Sequence, residues 1–285
     1  MSATARAFRI VNVFAEERLG GNPLAVFEDG RDLDDATMQA LALQFNLSET
    51  TFILPSTRAT ARVRIFTPTF EMPFAGHPTL GTAHVVRALK GGDAVTLEMH
   101  AGLIPVRASG DTWTPQANSP RTRPVAASRA DLAAMLGLDV SDLVGAPLWV
   151  DTGSEQLVIP LASVGAVRRC QPKADLLLRH ASLTLPGGAS RAMAYLWAGV
   201  APNGVLARFF FLKHGAVIED PGTGSACANL GGWLVTTGTS RPLTLTVSQG
   251  EAVGRRCRLG LSVDAESRIF VSGRVIELGR GTIEL

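Results

Sequence analysis

Apolar and polar positions alternate over residues 8–14, which predicts a strand with one buried face. A polar loop through Gly20-Gly21-Asn22 leads into a second apolar strand over 23–27. The period then changes. Met38, Leu41, Ala42 and Phe45 recur at helical spacing behind Asp34, which predicts a helix capped by that aspartate and ending near Asn46. The β-branched run 48–54 and the alternating run 62–66 predict strands. Residues 73–78 form a proline-bounded turn, followed by a helix over 79–89. Its Gly81, Thr82 and Ala83 suit close packing inside a barrel of strands. A hairpin-like pair follows over 94–99 and 103–106.

The second half begins with a helix near 129–136 and strands over 148–150, 156–161, 191–198 and 205–212. A second small-residue turn over 221–225 leads into an apolar helix over 226–235, and strands continue through 279–285. The segment 117–127 contains Pro120 and Pro124, lacks apolar periodicity and is the predicted linker.

The two halves repeat each other at one offset. Gly76-His77-Pro78-Thr79 falls on Gly224-Ser225-Ala226-Cys227, 148 residues later, and Thr96 to Gly102 falls on Thr244 to Gly250 without a gap. Each half runs from a turn of small residues through a helix to a Thr-Leu strand ending in glycine. A duplicated chain usually holds its site between its halves, so the turns at Gly76 and Gly224 are expected to face one cleft. The expected division is 1–120 and 121–285, with the last strands packing back on the first half.

Composition narrows the classes. The 285 residues suit two domains. Charged residues make up 18% of the chain against ~25% in average soluble domains, so much of it is interior. A net charge of +2 leaves no footprint for nucleic acid. Cys170, Cys227 and Cys257 are far apart and form no disulfide framework, which fits a reducing cytoplasm. The first residues lack the apolar stretch of a signal segment. No apolar run approaches the ~20 residues of a bilayer span, so no membrane role is expected.

Both turns lead directly into helices, whose first amides carry a partial positive charge of about 0.5 e. Taken singly, either glycine is explained by a tight turn. As a pair they favour binding of a carboxylate. Glu49 opens an otherwise apolar strand and is either a surface residue or a partly buried base. Position alone favours the surface, although desolvation would suit it to proton transfer. His77, beside exposed amides, is an acid/base candidate. Asp220 either caps the second helix or takes part in catalysis. The serine elbow G-x-S-x-G is absent, the fragment Gly222-Thr223-Gly224 lacks the third glycine of a dinucleotide fingerprint, and His77 and His84 have no companions in a metal-ligand pattern.

The segments Asn46-Leu47-Ser48-Glu49-Thr50-Thr51-Phe52, Arg64-Ile65-Phe66-Thr67-Pro68, Pro73-Phe74-Ala75-Gly76-His77-Pro78, Glu219-Asp220-Pro221-Gly222-Thr223-Gly224-Ser225-Ala226 and Ser248-Gln249-Gly250 together resemble the PhzF family of phenazine-biosynthesis isomerases. The opening loop with Gly20-Gly21-Asn22-Pro23 and the closing Gly279-Arg280-Gly281-Thr282-Ile283 do so too. The resemblance implies the α/β (α+β) diaminopimelate epimerase-like fold: two pseudo-symmetric halves, each a curled sheet or barrel around a central helix. It implies a homodimeric isomerase, free of cofactor and metal, that moves a proton on a small carboxylate-bearing substrate. Glu49, His77 and Asp220 match the family's catalytic residues. Gly76, Gly224 and Ser225 match its contacts to the substrate carboxylate, and Gln249 matches its substrate-contacting glutamine. Diaminopimelate epimerases carry a cysteine pair in these turns. Here the turns hold Ala75 and Asp220, so two-thiol racemisation is not expected. The stretch 151–191 matches the phenazine enzyme poorly, which leaves the substrate open. The alternatives are an epimerase or lyase on a small amino or hydroxy acid, and a non-catalytic binding protein on the same fold.

Overall fold

The computed structural model describes residues 5–184 and 190–285. Residues 1–4, at the terminus read above as lacking a signal segment, and 185–189, within the stretch 151–191, lie outside it. The elements run β1 (Ala5–Val13), β2 (Asn22–Phe27), α1 (Asp35–Phe45), β3 (Glu49–Leu54), β4 (Ala61–Phe66), β5 (Glu71–Met72), α2 (Gly76–Lys90), β6 (Ala94–Met99), β7 (Gly102–Ser109) and β8 (Thr112–Pro115). They continue with β9 (Arg121–Pro124), α3 (Arg129–Leu136), β10 (Leu148–Asp151), β11 (Glu155–Pro160), α4 (Val164–Arg169), α5 (Ala174–His180), β12 (Ser182–Thr184), β13 (Ser190–Val200), β14 (Gly204–Lys213), β15 (Ala216–Asp220), α6 (Gly224–Thr236), β16 (Leu243–Gln249), β17 (Cys257–Val263) and β18 (Ile269–Glu284). The contacts divide the chain into residues 1–116 with 272–285, and residues 117–271. The class is mixed α+β, with a closed eight-stranded barrel.

That barrel is the sheet of the first unit. β1 pairs with β2, β2 with β3, β3 with β4, β4 with β6, β6 with β7, and β7 with β8. The last strand closes it, pairing Gly273 with Trp113 of β8 and Val275 to Glu284 with β1. Closure gives each of these eight strands a neighbour on both sides. The parallel step from β2 to β3 needs a crossover, and α1 supplies it. Asp34 caps α1 by accepting from the Thr37 amide, and Asn46 ends it in the left-handed conformation. α1 covers the outer face through Met38, Leu41 and Ala42, against Phe27, Phe52 and Phe66.

The second unit repeats the pairing order. β10–β11 is antiparallel, β11–β13 parallel, β13–β14 antiparallel, β14–β15 antiparallel, β14–β16 parallel and β16–β17 antiparallel. These steps match β1–β2, β2–β3, β3–β4, β4–β5, β4–β6 and β6–β7 in turn. One ion pair recurs with them. Arg64 on β4 binds Glu71 and lies over Phe66, and Arg208 on β14 binds Glu219 and lies over Phe210. Here α4 and α5 fill the parallel crossover, where no helix was predicted. Their runs are too short for a helical period to show. The predicted linker also departs from expectation, because β9 pairs with β10 and Arg123 lies 4.6 Å over the Trp149 ring. An exposed edge strand can carry Pro124 at its end and needs no apolar alternation.

Both buried helices lie where the small-residue runs placed them. α2 packs against β1, β2, β3, β4, β6 and β8, and α6 against β9, β10, β11 and β17. Each begins two or three residues earlier than predicted, so Gly76-His77-Pro78 is the first turn of α2 rather than a loop. Proline costs nothing there, because a first-turn N–H has no helical partner to lose. Glycine sets the fit. A Cβ on Gly81 would lie 2.6 Å from Leu24 Cδ2 and 3.0 Å from Val11 and Val13, and one on Gly231 would lie 2.8 Å from Ile269. Gly81→Val should therefore lower the unfolding free energy by about 1–3 kcal/mol through overpacking. Gly199→Ala, whose Cβ meets nothing within 4 Å, should change it by less than ~0.5 kcal/mol. Urea unfolding of the two variants checks this, and an undiminished Gly81→Val would contradict the close packing.

Candidate functional site

In the first unit β3 and α2 bring Glu49 and His77 together. Glu49 opens β3, where the parallel step from Leu24 fixes its register. His77 is the second residue of α2. Glu49 Oε2 lies 3.5 Å from His77 Nε2, and the two side chains are 15% and 6% exposed. Glu49 is thus partly buried rather than a surface residue. Asn22, at the start of β2, places its amide nitrogen 3.3 Å from His77 Nδ1. Burial pushes the imidazole down to about 3, with a bond to the Pro23 carbonyl pulling the other way. At pH 7 the ring is therefore neutral, and it can orient a carboxyl group without neutralising it.

In the second unit a clamp holds the turn before α6. Gln249 Nε2 donates to the Asp220 carbonyl at 2.8 Å and to Thr223 Oγ1 at 3.0 Å, while Gln249 Oε1 accepts from the Thr223 amide at 3.3 Å. Thr223 Oγ1 donates in turn to Asp220 Oδ2. Asp220 ends β15 and is 9% exposed, and Gln249 is 1% exposed with its amide committed to the turn. Gly224 and Ser225 open α6. Ser225 Oγ accepts from Gln156 Nε2 at 3.0 Å.

The two helix starts are alike. Ala75 and Thr223 occupy the N-cap positions, and neither side chain bonds its helix. Ser, Thr or Asp would ordinarily take up one of these amides. The Thr223 hydroxyl is drawn to Asp220 instead. The amides of Gly76 and His77, and of Gly224 and Ser225, are left to meet an acceptor from outside the helix.

The structure thus joins Glu49, His77 and Gly76 in one unit, and Asp220, Gly224, Ser225 and Gln249 in the other. Asn22, Thr223, Gln156 and Asn229 went unassigned in the sequence. One of them carries a signal in retrospect: Asn229 sits inside an apolar helix where asparagine is a poor former, whereas Gln156 stands beside Glu155 at the polar start of its strand. The cysteines are buried and free, and burial raises all three thiols, that of Cys170 to about 12. None is a thiolate at neutral pH.

This fold is the diaminopimelate epimerase-like one, shared by isomerases and epimerases. The family described as phenazine biosynthesis-like protein matches residues 11–281. An uncharacterized isomerase of Pasteurella multocida (strain Pm70) is 40% identical, over 98% of this chain and 94% of its own. The trans-2,3-dihydro-3-hydroxyanthranilate isomerase of Pseudomonas chlororaphis is 33% identical, over 97% of this chain and 98% of its own. The crystal structure of a PhzF-family phenazine biosynthesis protein of Bacillus anthracis matches the fold with a TM-score of 0.84 at 24% identity, covering 98% of this chain and 99% of that one. The chain belongs to the PhzF family of phenazine biosynthesis-like isomerases.

The state of His77 has a consequence for stability. An unfolded histidine titrates near ~6.5, whereas the folded ring titrates near 3. Between these values the unfolded chain binds the extra proton, so stability is fully present above ~6.5 and falls as the pH drops toward 3. His84 on α2 is lowered by burial as well and adds to the same slope. His77→Asn should flatten part of that slope in unfolding experiments across pH 7 to 4. Ring ¹⁵N shifts should report a neutral His77 at pH 5.5, and an imidazolium there would contradict the assignment.

Proposed function

We propose that this protein moves a proton within a small, unsaturated carboxylate, with Glu49 as the base. The observation that carries the reading is a partly buried carboxylate 3.5 Å from a buried imidazole, on the first turn of a helix without a side-chain cap. The Glu49 carboxylate takes a proton from a tetrahedral carbon. The C–H electron pair forms a new double bond to the neighbouring carbon, the pair of the existing double bond shifts onto the far carbon, and that carbon takes the proton back from Glu49. His77 orients the Glu49 carboxyl. Asp220, held by Thr223, orients the substrate or relays the proton.

Each helix start, with the Gly76 amide in one unit and the Gly224 amide and Ser225 hydroxyl in the other, offers donors suited to a substrate carboxylate and to charge that develops on it. Gln249 acts through the turn that it clamps. A proton shift leaves the oxidation state of the substrate unchanged, so the reaction as proposed requires neither a redox cofactor nor a metal. Epimerisation by paired thiolates is disfavoured, because burial keeps the three thiols protonated. The Pseudomonas chlororaphis relative makes trans-2,3-dihydro-3-hydroxyanthranilate the first substrate to try. The protein acts in the cytoplasm as a homodimer, and light scattering on the purified protein would check the dimer.

Glu49→Gln keeps the shape of the side chain and removes its basicity. Its kcat on trans-2,3-dihydro-3-hydroxyanthranilate should fall by about 10²–10⁴-fold, with an unchanged circular dichroism spectrum. A variant turning over at the wild-type rate would reject Glu49 as the base. A wild-type protein inert toward this compound would reject the substrate.

A further inference from the structure

We infer that Asn229 and Gln156 are positioning residues that fix the Ser225 hydroxyl as a hydrogen-bond donor toward the substrate carboxylate; this rests on the carboxylate-binding role proposed for Ser225. Backbone groups fix the first donor and the first acceptor. The Thr152 amide must donate, and it donates to Asn229 Oδ1 at 2.9 Å, joined by the Thr152 hydroxyl at 2.7 Å. The Ser154 carbonyl must accept, and it accepts from Asn229 Nδ2 at 2.8 Å. These bonds leave one orientation for the Asn229 amide.

The second Asn229 Nδ2 proton goes to Gln156 Oε1 at 2.8 Å. That bond fixes the next amide in turn: Gln156 Oε1 accepts, so Gln156 Nε2 donates, and its target is Ser225 Oγ at 3.0 Å. A hydroxyl holds one proton and two lone pairs. Ser225 receives a bond on a lone pair from Gln156, so its own proton is directed elsewhere. Ser225 is only partly buried, whereas Asn229 and Gln156 are 0% and 3% exposed. The chain of bonds therefore runs from the buried backbone to a donor at the start of α6. There the Ser225 proton joins the first-turn amides, and all of these donors suit an anionic oxygen.

An oppositely oriented chain would turn the Ser225 proton back toward Gln156 and present a lone pair to the ligand. That arrangement would repel a carboxylate. The inner members of the relay touch no ligand, yet they set the sign of the contact that does.

Calorimetric titration with anthranilate tests this without turnover, so an error about the base leaves the test intact. Gln156→Glu still accepts from Asn229 but cannot donate to Ser225, and it should weaken binding about tenfold or more. Ser225→Ala should weaken it comparably. In the double variant the losses should not add, because the relay ends at Ser225. Simple repulsion by the new charge would persist in the Ser225→Ala background and would overturn the relay. Gln156→Met, which is uncharged, repeats the test should Gln156→Glu not fold. It should cost several-fold in binding with Ser225 present and nothing with Ser225→Ala. Unchanged binding in either Gln156 variant, or additive losses, overturns the inference alone. Wild-type protein that does not bind anthranilate overturns the carboxylate role of Ser225 as well.

Discussion

The structure depends on where two buried helices begin. A helix enclosed by strands loses the solvent that would otherwise meet its first amides, and those amides have no partner within the helix. α2 and α6 add to the shortfall by placing Ala75 and a diverted Thr223 at their N-cap positions. The polar machinery gathers at these two starts: Glu49, His77 and Asn22 around one, and Asp220, Thr223, Gln249, Gln156 and Ser225 around the other. An unmet cluster of donors is a poor end for a helix and a good seat for an anion.

The rest of each unit keeps these groups in place. Gly81 and Gly231 let the helices lie against the strands, which sets the height of the first turn. Strong charges are kept out of the way by pairing: Arg64 with Glu71, and Arg208 with Glu219, each arginine also covering an aromatic ring. Beside the two helix starts lie neutral groups with fixed polarity. His77 is uncharged because burial makes its cation costly. The amides of Gln249, Gln156 and Asn229 are oriented by backbone donors and acceptors. Such a surround has little left to reorganise when charge develops on a ligand.

The duplication could be read in the sequence because it lies in local features: the small-residue turns, the helices behind them and the Thr-Leu strands all keep one spacing. α1 was legible from its Asp34 cap to its Asn46 end for the same reason. Glu49 and His77 were visible as candidates, but their proximity was not, since it depends on a parallel strand pair and a buried helix 28 residues apart. Gln156 and Asn229 bond across 73 residues, and no local pattern announces such a contact. α4, α5 and β9 escaped because short helices and edge strands carry too few periods to read. The burial of Glu49 reversed the preference for a surface residue, because burial is decided by what packs on a strand start rather than by the residues beside it.

The central claim is that an exchangeable carboxyl group carries the proton between two carbons of the substrate. The most direct measurement is turnover of trans-2,3-dihydro-3-hydroxyanthranilate in D2O, with the product read by mass spectrometry and NMR. The account predicts deuterium at the carbon that receives the proton. Product formed at the full rate without any deuterium there would mean that the transferred proton never exchanges with solvent, and it would contradict an exchangeable carrier.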